Sequence, residues 1–250
     1  MTSPARGIVD PGVKSVIAWL QELLRSQLAP LEALSARIVA LSEGCGDGTS
    51  APVLSSRLLD TLVVAVRQTL RSSELAIGHG FIAAPGIVDG LERYMLWLQR
   101  RGNSIDRLRL NFDTSDLDAY DYIRMDWYTV AAARRLPTIT GPYLDYSGAD
   151  RLVLTLTMPT VVHNHLVGVV GTDLPASVTE ELIASQLCGI KPDAVLVNRD
   201  RSVIATNSPR WMPCERLHIQ PTAEISGFAA AVPLDDWTGW CLGVSSTATP

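Results

Sequence analysis

From Val13 onward the apolar side chains fall at Val13, Ile17, Leu20, Leu24, Leu31, Leu34, Ile38 and Leu41, with Gln27 in the one polar slot. Alternating steps of four and three make a 3.5-residue repeat, which predicts a helix that buries a narrow stripe. Pro30 removes an internal hydrogen bond, so a kink or break is expected there. The stripe either packs on the helix's own domain or forms a seam with a second copy. Residues 42–52 read as a turn-rich linker. A second helical pattern covers Val53 to Arg71, with Leu54, Leu58, Leu62, Val66 and Leu70 along one side.

Beyond that point the period shortens. Strand patterns occupy Ala76–Ala83, Tyr94–Gln99, Leu108–Phe112, Arg151–Val162 and Leu166–Thr172, with turn clusters at Pro85-Gly86, Arg101-Gly102-Asn103 and Tyr146-Ser147-Gly148. Within the fourth, Leu152, Leu154 and Leu156 alternate with Val153, Thr155 and Thr157, giving one greasy face and one that bears hydroxyls. A helix over Pro175–Leu187 opens on Pro and closes near Gly189. Ala194–Asn198 and Val203–Thr206 form a hairpin about Asp200-Arg201, and Phe228–Val232 and Trp240–Val244 add two strands. The plan is α+β: a helical segment at 1–75, a mixed unit with its connecting helix at 76–187, and a smaller β-rich unit at 188–250.

Composition narrows the function. The 250 residues are 47% hydrophobic and 19% charged, with a mean hydropathy of +0.17, enough apolar material for one or two cores. The net charge is -5, and no run of Lys and Arg offers a phosphate-neutralising patch, so nucleic-acid binding is not expected. Cys45, Cys188, Cys214 and Cys241 lie far apart with no CxxC pair, signalling neither a zinc site nor a disulfide framework and fitting a reducing compartment. Charges and Pro30 interrupt the most apolar early stretch, and no signal-peptide pattern opens the chain. A soluble, cytoplasmic protein without membrane contact is expected.

The densest cluster of chemistry is Ala119-Tyr120-Asp121-Tyr122-Ile123-Arg124-Met125-Asp126-Trp127-Tyr128, with three Tyr, one Trp, two Asp and one Arg in ten residues. Only 6% of the chain is aromatic. Tyr and Trp carry polar atoms that a plain core does not want, and aromatic walls with a few polar tips suit small-ligand pockets. A surface helix whose rings cap a core is the plainer alternative. Downstream come Thr140-Gly141-Pro142-Tyr143-Leu144-Asp145 and Gly168-Val169-Val170-Gly171-Thr172-Asp173-Leu174. Asp173 is either a helix cap before Pro175 or an anionic group at a pocket floor.

Together with Gly78-His79-Gly80-Phe81-Ile82 and the Leu/Thr strand ending at Met158-Pro159, these segments resemble the Cache (double-Cache, PAS-like) family of ligand sensors. The resemblance is strongest over residues 76–187. It implies a long N-terminal helix followed by two PAS-like subdomains with antiparallel sheets, the second smaller, and a non-enzymatic role in binding a small ligand. Carried over, Tyr122, Trp127 and Tyr128 line the pocket, Tyr143 and Asp145 stand at its edge, and Asp173 faces an amine or hydroxyl. Arg124 and Asp126 are the charged candidates on the aromatic segment. The family's amino-acid sensors commonly place an Arg two residues before the Trp, where this chain has Met125. Arg124 is one residue off, a shift of about 100° on a helix. The resemblance implies an amino acid, a small carboxylate or an amine as ligand and no cofactor; the heptad stripe suits a homodimer, and a stand-alone soluble member would act with a separately encoded transcriptional regulator as partner.

Other readings stay open. His163 and His165 alternate and, with His79 or Asp173, would make a metal site, although Val161–Val167 reads better as two strands about a turn at Asn164. An acid–base enzyme would draw on Tyr120, Asp121, Arg124 and Asp126, but GxSxG, P-loop and GxGxxG patterns are absent. A dimerisation scaffold without ligand would use the heptad stripe and treat the aromatic cluster as a contact patch. Trp97 reads as sheet core or, on a strand beside the pocket, as part of its wall, and Trp237 and Trp240 read as core of the smaller unit rather than a second ligand site.

Overall fold

The computed structural model describes residues 11–42, 51–113, 115–221 and 227–246. Most of the expected linker, Cys45 and the last four residues lie outside that set. Helix α1 (Pro11–Ser42) runs through Pro30 without a break. One lost hydrogen bond does not end a helix whose Leu24 and Leu31, on either side of the proline, are both buried. Leu20, Leu24, Leu31, Leu34 and Ile38 are at most 3% exposed, so the heptad stripe is covered by its own chain and is not a free seam for a second copy.

The single helix expected over Val53–Arg71 is instead α2 (Ser56–Asp60) and α3 (Val63–Ser72). Leu54 accounts for the late start. It makes a parallel bridge to Val88, with its N–H donating to Ile87 at 2.7 Å and its carbonyl accepting from Asp89 at 3.0 Å. A residue bonded in this way cannot start a helix.

The strands that follow are β1 (Gly78–Ala83), β2 (Met95–Arg101) and β3 (Ser104–Arg107). A 3-10 turn at Tyr122–Arg124 leads into α4 (Asp126–Arg134), and β4 (Thr138–Asp145), β5 (Arg151–Val162) and β6 (His165–Pro175) complete a six-stranded sheet. Its order is β3-β2-β1-β6-β5-β4, and every neighbouring pair is antiparallel. Leu108–Phe112, expected as a strand, is irregular chain. Then come α5 (Ala176–Leu187), β7 (Ala194–Val197), β8 (Val203–Thr206), β9 (Phe228–Pro233) and β10 (Cys241–Ser245), the last four forming a sheet of order β8-β7-β10-β9. A long helix and two antiparallel sheets, the second smaller, are the architecture the sequence predicts.

The chain divides into a larger unit, residues 27–175, and a smaller one, residues 1–26 with 176–250. Helix α1 contributes to both and α5 belongs to the smaller, whereas the sequence boundaries fall at 75 and 187. In the smaller unit Val195, Val197, Val203 and Cys241 form a core under Trp211, Leu217 and Phe228, and Trp240 is buried. No described helix is long and apolar enough to cross a membrane.

Candidate functional site

The larger sheet has two unlike faces because side chains alternate along each strand. On β1, His79 and Phe81 point one way and Gly78, Gly80 and Ile82 the other. Register then fixes what stands beside the glycines: Gly78 pairs Asp173, Gly80 pairs Gly171, and Asp173 pairs Thr155 on its other flank. Asp173 therefore sits mid-sheet between β1 and β5. A Cβ at Gly78 would fall 2.8 Å from Asp173 Oδ2 and 2.9 Å from the Trp97 indole, so only glycine lets that carboxylate and ring approach the strand. On β4 a register shift between Thr140 and Tyr143, at Gly141 with φ +113°, inverts the alternation. Tyr143 and Asp145 thereby turn to the face of Thr155, and Leu144 is left 39% exposed.

A cavity of about 360 Å³, counting its open mouth, lies on this face. Trp97, Tyr120, Trp127 and Tyr143 form its aromatic walls, and Asp145, Asp173 and Thr155 are among its polar groups. Ile82, Met95, Leu108 and Leu110 supply aliphatic surface. Helix α4 is fixed over the sheet by Thr157, whose hydroxyl donates to the Trp127 carbonyl at 2.7 Å. Irregular chain suits the segment holding Leu108 and Leu110, which leaves β2 after Leu108 N–H donates to Trp97 O at 2.9 Å.

Asp173 is 5% exposed. Its Oδ1 accepts from the Thr155 hydroxyl at 2.7 Å, and Thr155 Oγ1 lies 2.7 Å from the Tyr143 hydroxyl. Thr155 has one proton, so with Asp173 ionised the order is Tyr143 donating to Thr155 and Thr155 to Asp173. Among the described residues Oδ2 accepts nothing. Burial pushes the Asp173 pKa up to about 7, the nearby Asp145 adds to the rise, and the Thr155 hydrogen bond opposes it. Tyr143 and Tyr120 are pushed well above the ordinary phenol range, first by burial and then by these carboxylates. Asp145 accepts from the backbone N–H groups of Gly148 at 3.1 Å and Ala149 at 2.7 Å, holding the turn at the cavity rim.

Four of the predicted residues therefore line the cavity: Trp127, Tyr143, Asp145 and Asp173. The other four do not, because the aromatic segment is not one helix. Met125 is extended (φ -78°, ψ 135°) and separates the 3-10 turn from α4. Arg124 points outward with its side chain 86% exposed and pairs with Asp121 at 3.0 Å. Asp126 is exposed in the first turn of α4, where a carboxylate suits the helix dipole. Tyr122 is fully buried behind the cavity, its hydroxyl donating to Ala83 O at 2.7 Å. Tyr128 packs edge-on against Tyr122 (centroids 5.4 Å apart) and Trp127 (6.2 Å) in the same layer.

In the sequence Thr155 is not singled out as a site residue, and Tyr120 is named only within the aromatic run and as an acid–base candidate; both line the cavity. Trp97, weighed as core or as wall, is 5% exposed and lines the cavity. His79 lies on the opposite face, its Nδ1 3.0 Å from Gly171 O, and His163 is exposed at the β5–β6 turn. No group of three or more His, Cys, Asp or Glu among the described residues is placed to hold a metal ion.

Residues 63–179, which contain the whole cavity, match the model of the methyl-accepting chemotaxis protein-like first PDC sensor domain. Over that segment the chain is similar to the PDC sensor domains. The fold is Cache-type, and the matched family is one of sensor domains. No curated protein matches the sequence. Among solved structures, the ligand-binding domain of the Pseudomonas aeruginosa PAO1 amino acid chemoreceptor PctB in complex with L-Arg is 21% identical, covering 94% of this chain and 85% of that one, with TM-score 0.60. The Pseudomonas fluorescens chemoreceptor CtaA with L-isoleucine is 17% identical (93% and 89% covered, TM-score 0.60). The Campylobacter jejuni chemoreceptor Tlp3 with 4-methylisoleucine is 13% identical (94% and 87%, TM-score 0.60). At these identities the likeness is one of fold.

Proposed function

We propose that this chain acts as a sensor domain and holds a small metabolite in the cavity over its larger sheet, with Asp173 as the polar anchor and Trp97, Tyr120, Trp127 and Tyr143 as the walls. One observation carries the reading: Asp173 is 5% exposed and, among the described residues, its carboxylate has a single hydrogen bond, from Thr155. A buried carboxylate with so few donors is costly in the empty protein, and a ligand donor offsets that cost. The amino-acid ligands of PctB, CtaA and Tlp3 support a metabolite of that size.

Output runs through β5 to α1. The strand carries Thr155, within the Asp173 network, and Thr160, whose hydroxyl lies 3.0 Å from that of Ser35 on α1. A ligand that draws on Asp173 biases this strand and the helix bonded to it, and α1 presents the change to a separately encoded regulator. Thermal unfolding against a panel of amino acids, amines and small carboxylates tests the proposal. A compound at 100 times its dissociation constant adds about 2.7 kcal/mol of stability. A panel that produces no shift overturns it.

A further inference from the structure

We infer that the cavity is built for an organic cation with no carboxylate of its own: a small amine rather than an amino acid. The inference rests on the sensor reading above and departs from the ligands of the structural neighbours.

Among the described residues, those lining the cavity include two acids, Asp145 and Asp173, and no Lys, Arg or His. Arg109, between Leu108 and Leu110, is exposed, and three other cations on neighbouring segments have partners of their own. Arg124 points to solvent beside Asp121. Arg100 donates to the carbonyls of Leu70 and Ser73. Arg101 reaches only the rim, donating to Gly148 O at 3.3 Å. An amino acid whose ammonium met Asp173 would bring its carboxylate into a space with two like charges, negative ring faces and no counter-charge. Left unpaired there, a carboxylate carries its full desolvation penalty.

An amine avoids this conflict. Its ammonium donates to the open Oδ2 of Asp173, Asp145 adds favourable charge, and its carbon body meets the faces of Trp97, Tyr120, Trp127 and Tyr143. Such faces attract cations directly, and Trp does so best. The Thr155 hydroxyl and, behind it, that of Tyr143 hold Asp173 in place while it does so.

Calorimetry on the full chain at pH 8, with amines paired to the amino acids that share their side chains, tests the inference: isobutylamine with valine, tyramine with tyrosine, putrescine with ornithine. At least one amine is expected to bind tenfold or more tightly than its amino acid. If the amino acids that bind do so as tightly as their amines or more tightly, or if only carboxylates bind, the inference is overturned and the sensor reading stands. If no amine, amino acid or carboxylate binds, both fall.

Discussion

The two sheets of this protein are both antiparallel and both give a glycine on a central strand to a close neighbour, yet one glycine borders a cavity and the other meets core hydrocarbon. In the smaller sheet a Cβ at Gly243 would fall 2.7 Å from the Phe228 ring and 2.8 Å from Pro221. That glycine makes room for core hydrocarbon, and Phe228 stacks on Trp211 with centroids 6.0 Å apart. In the larger sheet the space over Gly78 goes to the Asp173 carboxylate and the edge of Trp97. The same device serves packing in one sheet and a charged cavity floor in the other. What separates them is a buried group that hydrocarbon cannot satisfy.

Removing that group has the largest expected effect. In Asp173→Asn an amine loses its charged partner, and its affinity falls by about 2–5 kcal/mol. Stability of the empty protein moves the other way. Asp173 titrates near 3.8 when unfolded and about 7 when folded, so between those values the folded chain holds a proton that the unfolded chain lacks. The stabilisation from this group is complete below about pH 4 and lost as pH rises through 7. Asparagine carries no such penalty, so above pH 7 the variant should be the more stable by on the order of 2–4 kcal/mol. Wild-type affinity for an amine should likewise fall about tenfold per unit below pH 7, where the carboxylate must first lose its proton. His79 provides an internal control. Burial lowers its pKa from 6.5 to about 4, so its contribution is lost as pH falls through that window, in variant and wild type alike. Urea titrations from pH 4 to 9 that superimpose for the two proteins would remove Asp173 from this role.

Filling the space beside Asp173 is the next smaller perturbation. Gly78→Ala sets a methyl 2.8 Å from Oδ2 and 2.9 Å from Trp97, so either the carboxylate or the indole must shift. Overpacking of this kind costs about 1–3 kcal/mol. A ligand seated on Oδ2 should weaken by roughly tenfold, whereas Gly86→Ala, at a turn with nothing within 4 Å of the added carbon, should leave affinity unchanged even if its positive φ costs stability. Equal effects of the two substitutions on binding would break the link between the Gly78 space and the site.

Much of the fold was legible because local and tertiary demands agree. The Leu/Thr alternation of β5 matches Arg151–Val162 to the residue, and Asp200-Arg201 lies in the β7–β8 turn. Misreadings fall where a long-range bond overrides local pattern. Leu54 bridges to Val88 instead of joining a helix, and Leu108–Phe112 leaves the sheet to cover the cavity. Of the cavity lining, Asp173, Trp127, Tyr143 and Asp145 were legible through the family resemblance. The site was illegible where orientation depends on a single backbone irregularity. The extended Met125 decides which way Arg124 points, and neither composition nor spacing encodes that angle.

Arg124 gives the smallest expected effect and the sharpest contrast with Asp173. Both are charged, and both belong to segments that resemble the sensor family, yet one is 86% exposed on its side chain and the other 5% exposed as a residue. The Arg124–Asp121 pair is an i,i+3 contact at the surface, a class that contributes about 0–1 kcal/mol and weakens with salt. Arg124→Ala should therefore change stability by no more than about 0.5 kcal/mol and ligand affinity by less than about twofold. If the guanidinium swung inward to hold a ligand carboxylate, the same substitution would instead cost carboxylate-bearing compounds about 2 kcal/mol or more and spare amines. Calorimetry on this variant with one amine and its matched amino acid thus asks whether the cation outside the cavity takes part, and the geometry at Met125 answers that it does not.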